Sequence, residues 1–169
     1  RSVLAHDVHP LPAELATLAA ADASVAHCPT SNSSLGSGFF PMRAHVAAGV
    51  RVALGSDVGG GTGFSLFKEG LQAYFVQQLL GAEGLPLTAA HLLWLATAAG
   101  AAALELPVGE LSVGRPFDAL WLAPAADSTL DVNLRHAKDA DDALAKAFAL
   151  AGPADVAATW VAGRQIVSR

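Results

Sequence analysis

Three polar residues carry the chemistry that this sequence can offer. His6 follows the apolar run Ser2-Val3-Leu4-Ala5, His27 follows Ser24-Val25-Ala26, and Asp57 stands just past the run from Arg51 to Leu54. Imidazole nitrogens and a carboxylate oxygen are normal zinc donors, and the same groups move protons near neutral pH. Asp57 has no Lys or Arg within five positions on either side, Arg51 being six back. A carboxylate so placed either caps the turn that follows it or is compensated by a metal ion, because burying it without a partner is costly. Histidines at two other strand ends favour the metal. Taken singly, each histidine is more often a structural residue than a ligand. His9, His45, His91 and His136 lack a strand-end placement, and no HExxH pair or Cys/His finger spacing occurs.

The glycine run after Asp57, Gly59-Gly60-Gly61-Thr62-Gly63, invites a comparison with phosphate cradles. A Walker loop ends in Gly-Lys-Ser/Thr, whereas the first lysine here is Lys68, and the spacing of a dinucleotide fingerprint is absent. Two readings remain open. The glycines let the backbone turn sharply after a strand, or they let a substrate or neighbouring loop approach Asp57 closely.

Positioning such residues requires strands that end on one face. From the start to about residue 105 the pattern repeats: short apolar run, polar or glycine-rich loop, helix. Helices are expected over Leu11 to Asp22, Pro41 to Ala48 with Gly49 as its stop, Phe64 to Leu80, and Thr88 to about Leu104. The segment CPTSNSSLGSGFF reads as a long loop from its Pro, Ser, Asn and Gly content. Strands alternating with helices argue for parallel βαβ units, and His6, His27 and Asp57 then lie about one unit apart, at the strand ends where α/β folds build their sites. After residue 105 the character changes. GELSVGRPFDALWLAP holds an alternating segment, Asp139 to Leu150 reads as a helix, and DVAATWVAGRQIVSR reads as two strands about Gly163.

Composition sets the outer bounds. At 169 residues and 53% apolar content, the chain can bury a sizeable core. A formal charge of −5, with ten Lys and Arg spread thinly, argues against nucleic acid as a partner. One cysteine, Cys28, excludes an intrachain disulfide and a cysteine-only zinc site, and fits a reducing compartment, by default the cytoplasm. The longest apolar segment, Leu92 to Leu104, is interrupted by Thr97 and Gly100, so no membrane span is expected. Asn32-Ser33-Ser34 matches a glycosylation acceptor by chance and is read as unmodified. The opening on Arg1 rather than methionine suggests a fragment.

The segments LAHDVHP, VAHCPTSNSSLGSGFFP, GVRVALGSDVGGGTGFSLFKEGLQAYFVQQL and GELSVGRPFDALWL resemble, in order and spacing, the C-terminal part of the guanine deaminases, within the amidohydrolase superfamily. The HCPTSN and Gly55-Ser56-Asp57 motifs are shared across the superfamily, and the VGGGTGFS and SLGSGFFP stretches are more particular to that branch. The resemblance implies an α/β fold: the C-terminal part of a (β/α)8 barrel, about three βα units, followed by strands of a small β-sandwich. Residues 1–105 would be barrel, and 106–169 its end plus the small β domain.

On that resemblance Asp57 is the zinc (Zn2+) ligand that also takes a proton from the attacking water, and His6 polarises that water. His27 is structural or supports the ligands, its role open. One zinc would serve each complete subunit, a homodimer when full length, and guanine would be hydrolysed to xanthine and ammonia. The family's HxH pair, third zinc histidine, proton-shuttling glutamate and purine-gripping arginine have no counterpart in these 169 residues, so the chain alone is expected to be inactive. The rival readings are a related deaminase or chlorohydrolase acting on another purine or a triazine, and a non-catalytic structural module.

Overall fold

The structure, a computed structural model, describes residues 2–168; Arg1, on which the expectation of a fragment rests, lies outside them. Three short parallel strands form the first sheet: β1 (Val3–Ala5), β2 (Ser24–His27) and β3 (Arg51–Leu54), in the order β1-β2-β3. Their register is continuous, with Ala5 beside Ala26 and Ala26 beside Ala53. Helix α1 (Pro12–Ala20) returns the chain from β1 to β2, and α2 (Pro29–Ser34) and α3 (Met42–Ala47) return it from β2 to β3. Proline at the first turn of α1 loses no needed hydrogen bond, and Glu14 accepts the Leu11 amide at 2.6 Å to cap it.

Beyond β3 lie α4 (Leu66–Leu79), α5 (Ala89–Ala96) and α6 (Ala98–Ala103). Val25, Val52 and Leu54 from the sheet join Phe40, Met42, Ala73, Leu92 and Leu95 in one buried core. β2 and β3 are almost wholly buried, as parallel strands covered by helices must be, whereas all three residues of β1 are exposed.

The second sheet is antiparallel, in the order β4 (Ala119–Leu122), β5 (Val156–Val161), β6 (Arg164–Ser168). Ala162 and Gly163 both take positive φ, 49° and 77°, which lets a two-residue turn match the strand twist. Between β4 and β5 run α7 (Thr129–Arg135) and α8 (Ala140–Leu150), the latter the helix expected there and capped by the Asp139 side chain. α8 returns to the first unit, where Phe148 joins the core and packs against Gly70 of α4.

Two expectations need correction, and one helix is new. The segment after His27 is not all loop: Pro29 at the first helical position starts α2, and Ser33 Oγ and Ser34 Oγ bond back to the carbonyls of Pro29 and Ser31. The long helix expected from Thr88 breaks at Thr97 (φ −129°, ψ −89°), whose hydroxyl donates to the Leu93 carbonyl. The break lets Ala99 and Ala103 of α6 pack on Ala53 of β3. Helix α7, started by the Ser128 side chain on the Asp131 amide, was not expected at all.

Candidate active site

His6 and Asp57 meet. The His6 amide donates to the Ala26 carbonyl at 3.0 Å, so the residue continues the pairing of β1 with β2. Asp57 folds back over the end of β3 with φ 45°, and its Oδ2 lies 3.5 Å from His6 Nε2. Both side chains are a little over a third exposed, 38% and 39%, so the pair faces outward from the sheet end. His6 and Asp57 each hold a left-handed backbone, a strained state for non-glycine residues that gathers at functional sites.

Helix α2, missed in the sequence, orients both groups. Asn32 Oδ1 lies 2.9 Å from His6 Nδ1; a carbonyl oxygen can only accept, so Nδ1 carries the proton and Nε2 presents a lone pair when the ring is neutral. Ser31 Oγ donates to Asp57 Oδ2 at 2.7 Å. An imidazole lone pair and a carboxylate oxygen then face each other at 3.5 Å, an arrangement that suits a shared proton, a water donating to both, or a cation. Asn32 is buried against His6, so it offers no acceptor for glycosylation.

Two glycines of the run, Gly60 and Gly61, answer to close packing about Asp57, whereas Gly59 and Gly63 have open space around them and take positive φ of 116° and 157°. A Cβ on Gly60 would stand 2.9 Å from both Asp57 Oδ2 and Ser31 Oγ, and one on Gly61 would run into the Ser56 carbonyl oxygen. The Gly61 amide donates to the Asp57 carbonyl at 2.6 Å. Both open readings meet here: the loop turns sharply, and what approaches Asp57 is the loop itself. Below it, the fully buried Glu69 of α4 accepts the amide and hydroxyl of Thr30, and Thr30 Oγ1 accepts the Thr62 amide.

His27 is not in the open site. Its ring is fully buried, stacks on Phe40 at 4.3 Å, and neither nitrogen finds a hydrogen-bond partner among the described residues. Burial first, then the neighbouring His45 and His6, push its pKa down to about 3, so the ring stays neutral. Cys28 is likewise shielded, its thiol pushed up to about 11 by burial and next by Asp57. His45 has a partner that sequence spacing did not show: its Nε2 lies 2.8 Å from Asp7 Oδ2.

Structural zinc sites take four protein ligands and catalytic ones three. Asp57 and His6 are donors of the right type for one side of such a site. Among the described residues no three His, Cys, Asp or Glu side chains converge as a metal ion requires.

The model of the amidohydrolase family matches residues 1–166. The chain belongs to that family. This amidohydrolase is 61% identical to the probable guanine deaminase of Deinococcus radiodurans, over all of the present chain and 39% of that relative. It is similar to the solved structure of Escherichia coli guanine deaminase, with a TM-score of 0.92 at 32% identity, over 99% of this chain and 39% of the other. An adenosine deaminase from Xanthomonas campestris, solved with bound zinc, matches with a TM-score of 0.81 at 27% identity, over 98% of this chain and 37% of that one. The amidohydrolase chain thus spans about two fifths of the length of these relatives, and its α/β fold is that of part of the family barrel. Among the described residues no helix is long and apolar enough to cross a membrane.

Proposed function

We propose that this chain is the part of a zinc-dependent guanine deaminase that carries its strand-end acid, Asp57, and the imidazole opposite it, His6. The observation that carries the reading is their meeting at 3.5 Å from two separate strands, in a chain 61% identical to a probable guanine deaminase. Asp57 would be both a zinc ligand and the acceptor of a proton from water, and His6 Nε2 would orient that water. His6 is suited to the task because Asn32 holds its Nδ1 and leaves Nε2 free to accept. Asp57 keeps its second oxygen, Oδ1, for a ligand while Ser31 occupies Oδ2. Zinc, when bound, would supply the Lewis acidity that makes hydroxide available near neutral pH. The small-molecule substrate would be guanine, and the products xanthine and ammonia, a step of purine catabolism.

The remaining ligands would come from other parts of the complete protein, which is why the chain by itself should lack activity. We assign residues 1–105 to the barrel and 106–169 to its end and the small β layer; the return of α8 to α4 supports counting that helix with the barrel. A homodimer in the cytoplasm is the assembly the resemblance supports, and the single cysteine suits that location. Likeness to an adenosine deaminase supports a second reading, an adenine nucleoside as substrate. Release of ammonia by the full-length protein from guanine and from adenosine, and of chloride from a chlorinated triazine, decides between them. Release from guanine alone is expected; preference for either of the others would replace the assignment.

A further inference from the structure

His45 is fully buried on α3, and its ring is restrained on every side that can hold it. Nδ1 donates to the Pro41 carbonyl oxygen at 3.0 Å, Nε2 donates to Asp7 Oδ2 at 2.8 Å, both partners being acceptors, and Phe40 stacks on the ring at 4.4 Å. Asp7 directly follows His6, and the two share a strained turn, with φ of 46° and 70°. Left-handed backbones at non-glycine residues are strained and persist only where the surroundings fix them. The backbone here supplies two bonds, His6 N to Ala26 O and Asp7 N to Ala5 O, each 3.0 Å. His6 thereby stays in the sheet while Asp7 leaves it, and the Asp7 side chain crosses to α3.

We infer that His45, acting through Asp7, is a positioning residue for His6: its bond to Asp7 holds the left-handed turn that points the His6 imidazole at Asp57. The inference rests on the reading of His6 and Asp57 as the reacting pair. Apolar contacts could tie α3 to the end of β1 without the desolvation that a buried imidazole and a carboxylate incur, but they would not fix direction. Without the tie the turn can relax toward ordinary φ, and the His6 ring moves with it. A displacement of about 1 Å at a reacting group can lower the rate on the order of 10²-fold.

The test uses the full-length protein. His45→Leu removes both ring hydrogen bonds at similar volume, His45→Gln keeps an amide donor at about the reach of Nε2, and Asp7→Ala cuts the same tie where His45→Leu fails to fold. His45→Leu should lower kcat for guanine by at least about 10-fold with KM changed by less than about 3-fold, and His45→Gln should recover most of the loss. In a His6→Gln background His45→Leu should add nothing, since the two changes strike one function. A crystal structure of His45→Leu should show His6 Nε2 withdrawn from Asp57 Oδ2, whatever the substrate. A kcat within about two-fold of the parent, a full additional loss in the His6→Gln background, or an unmoved His6 would each overturn the inference. If the parent does not deaminate guanine, the functional reading fails on its own, and the crystal structure still decides the positioning role.

Discussion

Thr30 gives both of its donors to one carboxylate: its amide lies 3.0 Å from Glu69 Oε2 and its hydroxyl 2.7 Å from Glu69 Oε1. The same hydroxyl accepts the Thr62 amide at 3.1 Å. One buried acid therefore joins the start of α2, helix α4 and the glycine loop that frames Asp57.

Glu69→Gln keeps the shape of the side chain but turns an amide NH2 toward one of the two donors, leaving that donor buried without an acceptor. The expected loss of stability is about 1–3 kcal/mol, measured by denaturant unfolding of the full-length protein. Thr30→Val should cost less in the Glu69→Gln background than alone, because the two residues share one bond pair. A Glu69→Gln loss below about 0.5 kcal/mol would show that the acid does not hold this junction.

His27 gives a second expectation. Its pKa falls from an ordinary 6.5 to about 3, mainly because the ring is buried. Between those values the unfolded chain takes up a proton that the folded one refuses. Stability from this residue is therefore whole above about pH 6.5 and declines as the pH falls toward 3, by about 1.4 kcal/mol per pH unit. His27→Phe should flatten that part of the acid limb; an unchanged limb in the variant would assign the acid sensitivity to other groups.

Cys28 should be inert. Its thiol, raised to about 11, holds almost no thiolate at pH 8, and its Sγ donates to the Ala26 carbonyl at 3.4 Å. A thiol reagent should label it only under denaturing conditions, with modification of the native protein slower by at least about 10²-fold than that of a free thiol, in line with the lost thiolate fraction. Rapid native labelling would contradict the enclosure described for the end of β2.

The three parallel strands are legible because their signal is local: short apolar runs at Val3, Val25 and Val52 each lead to a polar residue at or just past the strand end. Helix α2 was hidden because its residues favour loops, and what holds it comes from far along the chain: Glu69 on Thr30, Asp57 on Ser31, His6 on Asn32. His45 is illegible for the same reason, its partner Asp7 lying 38 residues away at the end of β1. The purpose of Gly60 and Gly61 is steric, and a missing Cβ declares itself only when the neighbours are known. That His6 and Asp57 come to lie side by side follows from the convergence of parallel strand ends, a rule of topology that sequence order alone can follow.

Asp57 carries the central claim, and one substitution in the full-length protein tests it most directly. Asn at 57 can still accept from Ser31 Oγ, so the fold should survive, but the charge and the basicity are gone. If Asp57 binds zinc and takes the proton, Asp57→Asn should lower guanine turnover by at least roughly 10²-fold and reduce bound zinc, with the unfolding midpoint little changed. Near-normal turnover with a full complement of zinc in Asp57→Asn would make Asp57 a turn cap and contradict the account.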